Sequence, residues 1–208
     1  MWVKVCGITR LEDAVAAARF GADAVGFVFA ESPRMVTPEE AGEISRRMPD
    51  GPAKVGVFVN SPVEDVNRVV RRCGLDLVQL HGDEDPAYCE ELGGIAIKAL
   101  RVDGALDVAL AKQYHCHALL LDGYDRGRRG GTGKTFDWTT VRLLDGRRRV
   151  IVAGGLGPDN VGRAIEAARP YGVDASSGVE SEPGRKDAVL MYRFIENARR
   201  ADYEVNGL

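Results

Sequence analysis

The sequence has few cysteines, and none of them stands in a paired spacing. Its four cysteines, Cys6, Cys73, Cys89 and Cys116, are 67, 16 and 27 positions apart, so no C-x-x-C pair is present. Structural zinc sites use closely spaced thiolate or imidazole ligands, and disulfide-rich secreted domains use dense cysteine frameworks. We therefore expect reduced thiols, no metal site at the cysteines, and a cytoplasmic protein.

The sequence also lacks a basic excess and a long apolar run. Lys and Arg number 28 against 31 Asp and Glu, for a net charge of −3. Partners such as nucleic acid or an anionic membrane call for a basic surface. The N-terminus has no signal-peptide hydrophobic run, and no segment approaches the ~20 apolar residues that span a bilayer. We expect neither a nucleic-acid nor a membrane partner.

Glycine is abundant, at 25 of 208 residues. Such an excess indicates tight turns or close approach of the backbone to a ligand. No linker, low-complexity tract or shift of composition divides the chain, so we predict a single domain over residues 1–208.

Eight short β-branched runs recur along the chain. They cover 2–6, 24–29, 54–59, 76–80, 95–99, 118–122, 150–153 and 173–175. Segments with helical spacing separate them; in 11–20, for example, one face is predicted to carry Leu11, Val15, Ala18 and Ala22.

Helix starts are marked after several of these strands. Thr9-x-x-Glu12, Thr37-x-x-Glu40 and Ser61-x-x-Glu64 match the capping box, and Asp85-Pro86 is a similar start. Alternation of strand and helix predicts a parallel sheet with helical crossovers. Eight units at 26 residues each favour a compact (β/α)8 TIM barrel, and the alternative is a doubly wound open sheet.

Two reactive side chains stand at the carboxyl ends of predicted strands, where a barrel places its active site. Cys6 ends the first strand before a turn into a helix, a position that suits a base or nucleophile. Asp122 ends the sixth strand and suits a general acid. The alternatives are a small buried thiol and a turn-capping carboxylate.

Glycine-rich turns after the last two strands predict a phosphate site. The seventh strand runs into Gly154-Gly155, and the eighth into Ser176-Ser177-Gly178. Backbone N–H groups at such turns bind anions, and barrel enzymes often bind phosphate between these two loops. Two glycine-rich turns without a ligand are the alternative.

Other polar residues fall on the same face. Gln79 and His81 share one side of the fourth strand, so both are predicted to line the pocket. Arg34, in the second strand-to-helix loop, can clamp a carboxylate. Lys4 shares the side of Cys6 and therefore needs a charge partner inside the barrel; a structural ion pair is favoured over a Schiff base.

Two other patterns do not carry chemistry in our interpretation. Gly133-Lys134-Thr135 resembles the end of a phosphate-binding P-loop, but Arg128 stands where its first glycine would be. His115-x-His117 precedes the sixth strand on the opposite face, and we predict no metal there. The long segment 123–136 is predicted to be a lid or binding loop, and its basic part Tyr124–Arg129 is either solvated or steers an anionic substrate.

Nearly the whole chain resembles the phosphoribosylanthranilate isomerases of tryptophan biosynthesis. The matching segments are KVCGIT, GADAVGFVF, KVGVFVN, VQLHG, LLLD, GGTGKTFDW, GGLGPDNV, VDASSGVE and PGRKD. KVCGIT, GKTFDW and SSGVE in this order are specific, whereas a piece such as GGL is not.

The resemblance implies a (β/α)8 barrel and a cofactor-free Amadori rearrangement of a phosphorylated aminoaldose to an aminoketose. The family's general acid matches Asp122, its general base matches Cys6, and its carboxylate-binding arginine matches Arg34. Its phosphate loops match Gly154, Gly155, Ser176, Ser177 and Gly178.

Asp174, at the end of the last strand, is assigned with Gln79 and His81 to substrate binding. The loop of Arg34 departs from the family in length, and Glu31 and Met35 replace the lysine and aromatic often found there. The partner is then a phosphorylated small molecule, and the protein is a monomer or homodimer. Alternatives are another phosphate-binding barrel enzyme of tryptophan or histidine biosynthesis, or a non-catalytic phosphate-binding barrel.

Overall fold

The computed structural model describes residues 1–123, 136–144, 146 and 148–207. Apart from its end residues, the glycine-rich segment predicted to be a lid or binding loop lies outside this range. The tripeptide Gly133-Lys134-Thr135 and the basic stretch Tyr124–Arg129 lie outside it too.

Eight parallel strands close into a barrel in sequence order, with β8 paired to β1. The strands are β1 (Trp2–Cys6), β2 (Ala24–Val28), β3 (Ala53–Phe58), β4 (Leu77–Leu80), β5 (Ala96–Val102), β6 (Ala118–Gly123), β7 (Val150–Ala153) and β8 (Gly172–Ala175). The predicted barrel is confirmed, and the open-sheet alternative is wrong.

Helices return the chain between strands on the outside of the barrel. They are α1 (Leu11–Arg19), α2 (Pro38–Arg47), α3 (Val63–Cys73), α4 (Pro86–Glu91), α5 (Val108–Gln113), α6 (Val161–Ala168) and α7 (Ala188–Asn206). A 3-10 helix, Trp138–Leu143, lies between β6 and β7. After β8 come a 3-10 turn, Ser177–Val179, and a hairpin of β9 (Glu180–Glu182) and β10 (Arg185–Lys186). None of the helices in the described ranges has the length and hydropathy needed to cross a bilayer.

Alternation along the strands decides which side chains enter the barrel. A small apolar cluster fills the interior, and it includes Ala118 and Leu120 of β6. Asp122 therefore points to the same side, since strand residues two apart share a face. The same parity turns Lys4 and Cys6 of β1 inward, because Trp2 packs against this cluster. A larger apolar cluster lies between the strands and the helices.

The predicted helix starts are correct for two of the four motifs. Thr37 and Glu40 form the reciprocal capping box of α2, and the side chain of Asp85 caps α4. The Thr9 and Ser61 predictions are wrong: α1 starts after Arg10 and α3 after Pro62, and neither has a side-chain cap. The hydroxyl of Thr9 instead donates to the carbonyl of Gly184, 2.5 Å away in the loop between β9 and β10.

The face of α1 that carries Leu11 and Val15 is not its most buried face. Asp13, Ala14 and Ala17 are the buried residues of this helix, whereas Leu11 and Val15 are only partly buried. The Asp13 carboxylate accepts hydrogen bonds from Arg10, at 2.6 and 3.0 Å, and from the backbone N–H of Lys186, at 3.2 Å. The contact with Lys186 joins the buried side of α1 to β10.

Candidate active site

Cys6 and Asp122 both lie at the carboxyl end of the barrel. Cys6 is the last residue of β1, and Asp122 is the penultimate residue of β6. Since β7 and β8 lie between β6 and β1 in the ring, these two side chains flank the loops that follow β7 and β8. Cys6 is buried, whereas the Asp122 side chain is 29% exposed.

Lys4 is a fully buried cation inside the barrel. Its ammonium donates to Oε1 of Gln79 at 2.9 Å and to Oδ2 of Asp174 at 3.0 Å. Burial by itself would lower the pKa of Lys4, but Asp174 and Cys6 outweigh that effect and raise it. The expected charge partner is therefore Asp174.

The surroundings of the Cys6 thiol act on its pKa in opposite directions. Burial raises its pKa above the ordinary value, and the negative charge of Asp174 adds to that rise. The cations Lys4 and Lys186 oppose it. Cys6 is thus mainly a thiol in the free protein, with ammonium groups placed to stabilise the thiolate when it forms.

Gln79 and His81 connect this cluster to Asp122. Gln79 Nε2 is 2.8 Å from Nδ1 of His81, and Nε2 of His81 is 3.1 Å from Oδ2 of Asp122. Gln79 is buried, and the His81 side chain is 24% exposed. Hydrogen bonds thus join Asp122 to His81 and His81 to Gln79. Gln79 also binds Lys4, whose charge acts on Cys6, so the four predicted pocket residues lie in one cluster.

Asp174 offers one unused acceptor. Its Oδ2 accepts from Lys4, but its Oδ1 is buried and has no hydrogen-bond partner among the described residues. An unpaired buried carboxylate oxygen is costly, so it marks a position where a ligand donor is expected.

The loops after β7 and β8 are packed directly against each other. A side chain at Gly178 would collide with the carbonyl of Leu156, and one at Gly157 would approach the Gly178 carbonyl to 3.1 Å. Only glycine allows this approach. The backbone N–H groups of Gly155, Ser177 and Gly178 donate no hydrogen bond to any of the described residues. The predicted phosphate loops therefore meet, with N–H donors available.

Arg34 reaches the same end of the barrel from the loop after β2. Its side chain lies over Gly7, where a Cβ atom would come within 2.5 Å of the Arg34 Cδ atom, and Gly7 has a φ of +77°. The guanidinium donates from Nε and Nη2 to the two carboxylate oxygens of Glu180, at 2.7 and 2.6 Å. Within the described part of the chain, no acceptor binds the edge formed by Nη1 and the second Nη2 proton, which suits another carboxylate.

Glu180 and Lys186 are site residues that the sequence analysis did not assign. Lys186 donates to Glu180 at 2.8 Å and to the carbonyl of Ser176 at 3.1 Å. Glu180 thus joins Arg34 to the loop after β8. Its place at the end of SSGVE, after a strand and on the face of Arg34, is the signal from which the sequence analysis could have assigned it.

His115 and His117 lie before β6 at the opposite end of the barrel. His115 is exposed, and Nε2 of His117 is 3.1 Å from the guanidinium of Arg149. Burial and the charge of Arg149 lower the pKa of His117.

The sequence of the chain matches a known family over nearly its full length. The model of the N-(5'-phosphoribosyl)anthranilate (PRA) isomerase family matches residues 3–197. The chain belongs to this family. The N-(5'-phosphoribosyl)anthranilate isomerase of Citrifermentans bemidjiense is 50% identical over 199 residues, which are 95% of this chain and 97% of that protein.

Solved structures of PRA isomerases share the fold. A structure of monomers generated from the dimeric enzyme of Thermotoga maritima has a TM-score of 0.85 and 40% identity, and covers 96% of this chain and 99% of that one. A PRA isomerase in complex with reduced 1-(o-carboxyphenylamino)-1-deoxyribulose 5-phosphate has a TM-score of 0.83 and 38% identity, with the same coverage. The predicted family, barrel fold and isomerase class are confirmed.

Proposed function

We propose that this isomerase of tryptophan biosynthesis converts N-(5-phospho-β-D-ribosyl)anthranilate to 1-(2-carboxyphenylamino)-1-deoxy-D-ribulose 5-phosphate by acid–base catalysis. The observation that carries the proposal is the placement of Cys6 and Asp122 on either side of the loops after β7 and β8. A thiol and a carboxyl that flank one sugar phosphate supply the two proton-transfer groups of an Amadori rearrangement.

The substrate's own chemistry fixes its direction in the site. We place its phosphate on the N–H groups of Gly155, Ser177 and Gly178, because no described residue accepts from them. The ring oxygen is bonded to C4, next to the carbon that carries the phosphate. A Cβ atom at Gly154 would lie 2.5 Å from Oδ1 of Asp122, so this oxygen faces the phosphate loop. Asp122 is therefore suited to protonate the ring oxygen.

Proton transfer from Asp122 starts the reaction. As the ring oxygen takes the proton, its bond to C1 breaks, and the nitrogen lone pair forms a C1–N double bond. The product of this step is an open-chain Schiff base, and Asp122 is left as a carboxylate that accepts a hydrogen bond from His81.

Cys6 completes the rearrangement. Its thiolate removes the proton from C2, and the electron pair forms a C1–C2 double bond while the C1–N bond becomes single. The resulting enolamine gains a proton at C1 and loses the C2 hydroxyl proton to give the ketone. The positive charge of Lys4 acts on Cys6 and stabilises the thiolate during this step.

The remaining polar groups bind the rest of the substrate. The free edge of Arg34 pairs with the anthranilate carboxylate, in the geometry that a guanidinium prefers. The unpaired Oδ1 of Asp174 accepts a hydrogen bond from a ribose hydroxyl. No cofactor takes part. We place the protein in the cytoplasm as a monomer or homodimer; a Thermotoga maritima relative is described as dimeric.

The test compares Cys6→Ala and Asp122→Ala with the unchanged protein. General acid and base groups contribute ~10²–10⁴-fold, so each variant should lose turnover by that factor. Binding of a reduced product analogue should be largely retained. Full activity in either variant would contradict its assigned role. His115→Asn, at the opposite end of the barrel, should keep wild-type turnover.

A second assay separates the alternatives. A host that lacks this step and requires tryptophan should grow when it carries the gene. The purified protein should consume the anthranilate aminoaldose and not the aminoaldose of histidine biosynthesis. Absence of rescue with normal ligand binding would instead indicate a non-catalytic phosphate-binding barrel.

A further inference from the structure

A row of polar side chains, buried at its start and partly exposed at its end, runs across the barrel toward the proposed acid. It begins at Asp174, passes through Lys4, Gln79 and His81, and ends at Oδ2 of Asp122. Each contact in the row is 2.8–3.1 Å long. Because each side chain has a fixed set of donors and acceptors, the row has a direction.

Lys4 sets that direction. An ammonium group can only donate, so the atom of Gln79 that faces Lys4 must be its carbonyl oxygen. Asp174 holds the ammonium in its charged form inside the barrel. The amide of Gln79 cannot turn over, because its NH2 group would then face the donors of Lys4.

The orientation of the Gln79 amide in turn determines which ring nitrogen of His81 is protonated. With its oxygen on Lys4, it presents its NH2 group to Nδ1 of His81, 2.8 Å away. Nδ1 must then accept, so the imidazole proton is on Nε2, which faces Oδ2 of Asp122 at 3.1 Å. If both ring nitrogens of His81 were protonated, the N–H at Nδ1 would face an N–H of Gln79, and two donors cannot form a hydrogen bond.

We propose that Lys4 and Gln79 are positioning residues that hold His81 as the neutral, Nε2-protonated imidazole, so that His81 donates to Oδ2 of Asp122 and leaves Oδ1 to carry the catalytic proton. The proposal rests on the function proposed for Asp122. His81 then acts as a fixed donor to the acid and does not itself exchange the proton.

The geometry around Asp122 agrees with this division of its two oxygens. Oδ2 is engaged by His81, whereas Oδ1 lies beside Gly154 in the loop after β7. A hydrogen bond to Oδ2 also stabilises the carboxylate that remains after proton transfer. An incorrect tautomer would present a lone pair to Oδ2 and take away that stabilisation.

The direct test is the tautomer of His81 in the free protein. The chain has three histidines, so ¹⁵N-histidine labelling gives a simple two-bond ¹H–¹⁵N spectrum in which protonated and unprotonated ring nitrogens differ in shift. His115→Asn and His117→Asn assign the other two rings. We expect His81 to show a protonated Nε2 and an unprotonated Nδ1. A protonated Nδ1 in the wild-type protein would overturn the proposal, whatever the variants do.

Gln79→Glu tests the link to catalysis. A carboxylate at this position accepts from Lys4 and from His81, so it should protonate Nδ1 and change the spectrum. We expect kcat to fall at least about tenfold, because an incorrectly set imidazole loses most of its catalytic value. KM should change less, since Gln79 does not touch the substrate in this proposal. Gln79→Met, of similar size and without hydrogen bonds, should give a mixture of tautomers and an intermediate kcat.

The outcomes separate this inference from the proposed function. The spectrum of His81 does not depend on turnover. A protein could therefore show the expected tautomer and have no isomerase activity. That result would overturn the function proposed for Asp122, and with it the catalytic part of this inference. A wild-type kcat in Gln79→Glu, with a changed tautomer, would overturn only the positioning role. His115→Asn should leave both kcat and KM unchanged.

Discussion

At the scale of single residues, the main question is how a buried thiol serves as a base. Lys4 and Lys186 provide positive charge near Cys6, whereas burial and Asp174 favour its neutral form. The balance raises the pKa of the thiol. Less thiolate is therefore present at neutral pH than for an exposed cysteine.

This balance predicts the pH dependence of activity. Turnover by the wild type also requires a protonated Asp122, so the thiolate is followed alone in Asp122→Asn. In this variant the residual kcat/KM should rise about tenfold per pH unit above neutrality, until the pH reaches the raised pKa of Cys6. The double variant Cys6→Asp, Asp122→Asn should lose this rise, because a carboxylate is ionised throughout the range. Initial rates between about pH 6.5 and 9 measure both profiles. A flat profile in Asp122→Asn would exclude Cys6 as the rate-limiting base.

Glu180 is the second residue whose role can be isolated. It holds the Nε edge of Arg34 and also pairs with Lys186, with 4% of its side chain exposed. Glu180→Gln removes the charge that fixes Arg34. We expect KM to rise roughly ten- to hundredfold, the equivalent of one charge-assisted hydrogen bond, with a smaller change in kcat.

The neighbouring exposed carboxylate provides a matched control. Glu182 is also in β9, is 63% exposed and pairs with Arg185. Glu182→Gln should leave KM at the wild-type value. Equal KM values for the two variants would show that Glu180 does not position Arg34.

At the scale of helices and strands, local patterns predicted strand positions better than helix starts. β1 and β7 have the predicted bounds, since alternating or continuous apolar runs report burial directly. The capping motif at Thr9 failed because its hydroxyl binds Gly184, which is 175 residues away along the chain. A local motif does not contain that contact.

One helix start that formed and one that did not make a controlled pair. In α2 the Thr37 hydroxyl accepts from the Glu40 backbone N–H at 3.2 Å, and the Glu40 carboxylate accepts from the Thr37 N–H at 2.8 Å. Thr37→Ala should lower the free energy of unfolding by about 0.5–2 kcal/mol. Ser61→Ala, in the same sequence motif without a side-chain cap, should change it by less than about 0.5 kcal/mol. Urea unfolding compares them, and equal losses would contradict the assigned caps.

At the scale of the whole molecule, the sequence predicted the barrel and which residues face its open end, because strand order fixes both. It predicted that Lys4 needs a partner but did not identify Asp174, 170 positions away. Arg34 and Glu180, 146 positions apart, were not paired at all. Such contacts depend on the lengths and paths of loops, which no periodicity encodes.

Two carboxylates with almost fully buried side chains, Glu84 and Glu180, link stability to acid. The Glu84 side chain is 2% exposed and accepts from Lys98 at 2.7 Å. Burial alone would raise the pKa of Glu84, but hydrogen bonds from Lys98 and from the Asn60 backbone outweigh it and lower it. Arg34 and Lys186 likewise overcome burial and lower the pKa of Glu180. A carboxyl with a lowered pKa stabilises the fold above its unfolded-state pKa, and that stabilisation is lost as pH falls through the folded-state value.

The free energy of unfolding should therefore decrease as pH falls below about 4.5, by up to about 1.4 kcal/mol per pH unit for each of these two groups. Urea unfolding at pH 7, 5, 4 and 3.5 measures this slope. The double variant Glu84→Gln, Lys98→Met removes one titrating pair without leaving a buried charge, so its slope should be smaller. Glu43→Gln, which removes an exposed partner of Arg47, should keep the wild-type slope. A double variant as acid-sensitive as the wild type would show that the Glu84 pair does not control acid stability.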